Sequence, residues 1–148
     1  MPFILPDYDS CHFCRCLAGE LSWMLVDENE HAVAIVNPRQ YEHGATLCIP
    51  RAHRETILDI QDEEIESLYR LAKRMVRSAE IAFGAIAANV FQNNGAKGGQ
   101  HEPHMHVHVV PRYESSDADL VFLQRNFTVA PVERLEQVAT AIRAALLR

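Results

Sequence analysis

No apolar stretch in the sequence approaches the length of a membrane span. The N-terminal MPFILPDYDS has neither the basic region nor the apolar core of a secretory signal. These absences exclude a helical membrane protein and make the cytoplasm the expected compartment. Positive charge is also lacking: the formal net charge is -6. That balance argues against nucleic acid or an anionic membrane as a general partner, although a pocket with its own field can still hold an anionic small molecule. Repeats, low-complexity tracts and linkers are missing too. With 48% hydrophobic and 23% charged residues the composition excludes disorder, and 148 residues read as one domain, 1–148, large enough to bury a core. Cysteine is sparse, and three of the four, Cys11, Cys14 and Cys16, crowd into CHFCRC while Cys48 stands apart. This is not the spacing of a secreted disulfide framework. In a reducing compartment Cys11 and Cys14 read as metal ligands or as a redox pair. A redox CxxC normally opens a helix after a parallel strand, a context absent here.

What is present divides into strands and helices. CHFCRCLAGE reads as a short turn or helix ending near Gly19. WMLVDE and HAVAIVNP read as two strands joined at an acidic turn, and ATLCIP as a third, stopped by Pro50. From Asp62 to Phe83, Ile65, Leu68, Tyr69, Ala72, Met75, Val76 and Ala79 recur at helical spacing. Three acids open this segment and Gly84 follows it, as a helix start and stop require. ANVFQNN and HMHVHVVPR read as fourth and fifth strands, and a last helix begins at about Pro131 with Leu135, Val138, Ala139, Ile142 and Leu146 on its buried face. Strands, helix, strands, helix in that order predict an α+β domain: an antiparallel sheet of about five strands with two main helices.

The strand HMHVHVVPR sets His104, His106 and His108 at alternate positions, so all three share one face while Met105, Val107 and Val109 face the core. A solvated sheet face would mix Lys, Glu and Thr there, and a metal site could use all three imidazoles. The preceding QNNGAKGGQH favours a different chemistry. Gly95, Gly98 and Gly99 allow backbone N–H groups close to an anion, and Asn93, Asn94 and Gln100 add amide donors. A phosphate-cradling loop joined to an imidazole row suggests phosphate held beside a histidine nucleophile.

The run His104-Met-His106-Val-His108-Val-Val resembles the signature of the histidine triad, or HIT, superfamily. The likeness extends upstream through NNGAKGGQ, TLCIPRAH and HAVAIVNP to CHFC, and downstream into VVPRY. The resemblance implies a HIT-like fold and a nucleotidyl hydrolase or transferase. Its substrates would be dinucleoside polyphosphates, nucleoside phosphoramidates or nucleotidyl-sugars. It makes His106 the nucleophile on the α-phosphorus, His108 the donor to a phosphate or leaving-group oxygen, and Gln100 with Gly99 and the loop amides the stabilisers of α-phosphate charge. Asn37 and Asn93 match nucleotide-contacting positions, and Asn37 resembles the dinucleoside polyphosphate hydrolase and fragile-histidine-triad branch. Asn37 also reads simply as a turn residue before Pro38.

Members that begin with CxxC imply a structural zinc on Cys11, Cys14, His53 and His104, with Cys16 and His12 as alternative ligands. The resemblance also implies a homodimer. Two departures stand out. Ala45 follows Gly44 where many members have histidine, and alternation allows His43 to replace it from the same side. His101 follows Gln100 where Ser or Thr is common. A purine-nucleotide-binding signalling module with little turnover is the competing reading of the same pocket.

Overall fold

The computed structural model describes residues 3–117 and 128–148. Its centre is a five-stranded antiparallel sheet with two main helices against it. The strands are β1 (Leu25–Glu28), β2 (Ala32–Val36), β3 (Thr46–Pro50), β4 (Ala87–Gln92) and β5 (Val107–Arg112), in the spatial order β1-β2-β3-β5-β4. The helices are α1 (His12–Leu17), α2 (Asp62–Phe83) and α3 (Val132–Leu146).

Strands β2, β3 and β5 are buried along their whole length, because apolar layers cover both of their faces. On one face Ala34, Val36, Cys48, Val107 and Val109 meet Leu68, Met75, Val138 and Ile142 of the two long helices. On the other face Val33, Ile35, Leu47 and Ile49 meet Phe13 of α1, with Trp23 and Leu25 packed beside them. The second layer is small, and the histidines emerge beside it.

Helix α2 begins and ends as its sequence predicts. The Gln61 N–H donates to the Glu64 carboxylate at 3.0 Å, and Gly84 closes the helix with φ 69°. Pro131 is the residue before α3 and not its first helical position, a shift of one place.

The strand ends differ more. β5 begins at Val107, three residues later than the alternation of HMHVHVVPR implies. Met105 donates its N–H to the Arg54 carbonyl at 2.6 Å, so a loop partner replaces the ladder there. β4 stops at Gln92, because the next residues turn into the glycine loop. At the far end His43 packs its ring on Phe83 of α2, with centroids 4.8 Å apart. It therefore joins the helical layer and does not replace the missing histidine on the triad face. Gly44 lets this happen, since a Cβ there would come within 2.6 Å of the Phe83 ring.

Candidate active site and metal centre

The three histidines are buried side by side, yet each is held differently. His104 is fully enclosed, while His106 and His108 each keep 7% of their surface. The Nε2–H of His104 donates to the Pro50 carbonyl at 2.9 Å, which leaves its Nδ1 as a lone-pair donor. That nitrogen lies 3.3 Å from Cys11 Sγ and 3.6 Å from Cys14 Sγ, and His53 Nδ1 lies 3.2 Å from Cys14 Sγ. Ligand atoms of Cys11, Cys14, His53 and His104 all fall within 4.8 Å of one another.

Tetrahedral zinc, with bonds of about 2.3 Å to sulfur and 2.0 Å to nitrogen, spaces its sulfur and nitrogen ligands by about 3.5 Å. The donor set and its spacing fit such an ion. Without a cation, burial first and the Cys11 thiol second push the Cys14 thiol up to about 11, and burial pulls His104 down to about 4. A neutral imidazole is ready to ligate, and a divalent cation would offset the cost of two thiolates. Helix α1 supplies the sulfur geometry: Cys11 caps it, its Sγ accepting from the Cys14 N–H at 3.3 Å. Cys16 and His12 lie outside the cluster, and the cluster takes one histidine of the row rather than three.

His106 follows two residues later. Its Nδ1–H donates to the His104 carbonyl at 2.8 Å, which fixes the tautomer and leaves Nε2 with its lone pair. Phe13 meets this ring edge-on at 5.3 Å and the His104 ring at 5.8 Å. Burial, the largest cause, lowers the His106 pKa despite that hydrogen bond. The ring is a neutral base at pH 7. His108 lies 4.8 Å from it, centroid to centroid.

The glycine loop is folded on itself. N–H groups of Gly95, Ala96, Gly98, Gly99 and Gln100 all donate within the chain, that of Ala96 to the Ile4 carbonyl at 2.7 Å. The Gln100 amide spends both protons on the Glu55 and Glu102 carbonyls, at 2.7 and 2.8 Å, and its oxygen accepts from Gly95. Asn93 donates to the Gly99 carbonyl at 3.2 Å. The expected row of open phosphate donors is a closed turn in this structure. Asn37 likewise accepts from the Arg39 N–H at 3.0 Å, in the geometry of an Asx turn.

Three aromatic residues that the motif does not mark surround the row: Phe13, Phe91 and Tyr41. Phe91 had a readable signal. Pairing ANVF against HVVP sets it directly opposite His108, the register the structure adopts. Tyr41 comes from the turn after β2, where no periodicity points to it.

An antiparallel sheet with an imidazole row on one face and a Cys2His2 cluster at its end defines a histidine triad protein. Residues 18–115 match the HIT domain, and the chain belongs to the HIT family. The protein hit of Bacillus subtilis is 34% identical over 74% of this chain and 75% of its own length. A zinc-bound histidine triad family protein from Mycobacterium smegmatis superposes with a TM-score of 0.78 at 29% identity, covering 93% of this chain and 94% of that one. A hypothetical histidine triad nucleotide-binding protein from Sulfolobus tokodaii gives 0.80 at 27% identity, covering 93% and 92%.

Proposed function

We propose that the protein is a nucleotidyl hydrolase or transferase that cleaves at the α-phosphate of dinucleoside polyphosphates or nucleoside phosphoramidates. The observation that carries this reading is the His106 ring, tied through Nδ1–H to the His104 carbonyl, with no hydrogen bond at Nε2 among the described residues. Nε2 forms a bond to phosphorus as the leaving group departs toward His108. Water then cleaves the nucleotidyl-histidine and restores the ring. The apolar patch of Phe13, Leu47 and Trp23 suits a purine face. Asn37, Asn93 and Gly99 would contact the nucleotide. For Gln100 to contact phosphate it must exchange one of its loop bonds.

Zinc on Cys11, Cys14, His53 and His104 would supply a structural clamp. His104 then shares one residue between the two sites: its ring ligates and its carbonyl orients His106. These ligands and Asn37 support a reading of the chain as one of the CxxC, dinucleoside-polyphosphate-hydrolase-like branch, which would act in the cytoplasm. Edge strand β4 has apolar side chains half exposed, Val90 at 40%, and this edge is where two chains would pair as a homodimer. Light scattering at micromolar concentration should give twice the chain mass.

The deciding experiment incubates the protein with dinucleoside polyphosphates, nucleoside phosphoramidates and nucleotidyl-sugars and identifies products by mass. An alkaline quench should preserve a nucleotidyl adduct on His106, since that phosphoramidate bond is acid-labile. Tight AMP binding with neither turnover nor adduct would instead establish a nucleotide-binding module.

A further inference from the structure

His108 is the member of the row whose inner nitrogen has no partner. Its Nδ1 is buried and makes no hydrogen bond among the described residues, whereas His104 Nε2 and His106 Nδ1 each meet a carbonyl. Its surroundings are apolar and aromatic. Leu47 of β3 and Phe91 of β4 are its direct partners across the strands, so the three side chains stand in one row on one face. Phe91 lies flat on the imidazole, with centroids 4.6 Å apart and planes at 7°. Tyr41 reaches the same ring at 6.0 Å, tilted by 47°.

A phenyl face stacked on an imidazole resists its rotation and keeps water from it. Burial is the main cause that takes the His108 pKa down to about 3, and the neighbouring His106 and His101 act in the same direction. A neutral ring carries one proton. On Nδ1 that proton would be a buried donor without an acceptor, so it belongs on Nε2.

We propose that Phe91 is a positioning residue for the leaving-group step: its ring fixes His108 as a hydrogen-bond donor, and the site thereby favours groups that leave as oxyanions over groups that must leave protonated. This rests on the nucleotidyl-transfer reading above. As His106 Nε2 bonds to phosphorus, the P–O electron pair stays with the departing oxygen, which accepts the His108 Nε2–H bond. No proton changes hands. A phosphoramidate nitrogen needs a proton before its P–N bond breaks, and His108 could give one only by becoming an imidazolate.

The test compares Phe91→Leu and Phe91→Tyr with wild type on one dinucleoside polyphosphate and one nucleoside phosphoramidate sharing the same nucleotide. The ratio of kcat values, anhydride over amidate, should fall by about tenfold in Phe91→Leu, where a loosened, wetted His108 gains acid character. Amidate cleavage by that variant should also rise as the pH falls toward 6. Phe91→Tyr, which keeps the stack, should restore the wild-type ratio. Long-range 15N NMR of wild-type His108 should show one neutral Nε2–H tautomer from pH 5 to 8. An unchanged ratio in Phe91→Leu overturns the proposal while leaving the enzyme reading intact. Should Phe91→Leu fail to fold, the wild-type spectrum decides, and a His108 protonated at pH 6 overturns it. A wild type that cleaves neither substrate, with no adduct, overturns both readings.

Discussion

His104 and His108 stand at opposite ends of one row, both buried and both flanked by β-sheet, yet their neighbours make them different groups. At the His104 end every ring nitrogen has a polar partner: Pro50 O on one side, two thiols on the other. At the His108 end Nδ1 has none among the described residues, and phenyl and phenol rings surround it. Residue type alone therefore assigns no role within the triad. The partner of the second nitrogen sets what each ring can do: a ring able to ligate at one end and, on the reading proposed above, a donor at the other. His106, between them, takes the carbonyl of the first and faces the ring of the third.

The largest expected effect comes from breaking the row at its middle. His106→Asn should lower kcat by about 10³-fold or more while AMP still binds, because a nucleophile acts on the transition state and contributes little to ground-state affinity. Isothermal titration with AMP alongside steady-state kinetics separates the two. Equal turnover by variant and wild type on every substrate would rule out a histidine nucleophile.

Breaking the metal end should be a stability effect first. Cys14→Ala removes one of four clustered ligands, and elemental analysis should fall from about one zinc per chain to near none, with a lower Tm. The neighbouring His106 should feel this through the His104 carbonyl. Its 15N spectrum should show the two tautomers mixing once His104 is no longer held. Metal-free wild-type protein with an unchanged Tm would remove zinc from the account.

This contrast was only partly legible in the sequence. Helix α2 was readable because everything that ends it is local: three acids, an apolar stripe, then Gly84. The Cys2His2 cluster was readable because a thiol pair and two matched histidines come with a motif. The beginning of β5 was not, since the Met105 N–H is satisfied by Arg54, about fifty positions away in the chain. The closed glycine loop escaped notice for the same reason. Glycines announce conformational freedom, but two of the bonds that close the loop, from the Ala96 N–H to Ile4 and from the Gln100 amide to Glu55, are long-range. His43 went to the wrong face because alternation was carried through a turn, where it has no force.

The smallest expected effect tests whether the metal end is held from outside its ligands. Arg54 directly follows His53, gives its carbonyl to Met105 and sends its guanidinium in two hydrogen bonds to Glu64, at 2.8 and 2.9 Å. The Arg54 hydrogen bond is the largest cause that holds the Glu64 carboxyl below its ordinary range. A depressed carboxylate pKa gives stability that is present above the unfolded value, near 4.5, and is lost as the pH falls through the lower folded value. Glu64→Gln should therefore lower Tm by about 3 °C at pH 7, as expected for a partly buried, bidentate pair. As the pH falls through the lowered folded value the gap between variant and wild type should close, since both then carry a neutral group at that position. His108 and its aromatic neighbours are untouched by this change, so kcat on a phosphoanhydride should stay within twofold, a limit that follows from the intact nucleophile and donor. A variant whose Tm tracks wild type at pH 7 would show that the ligands alone hold the metal end.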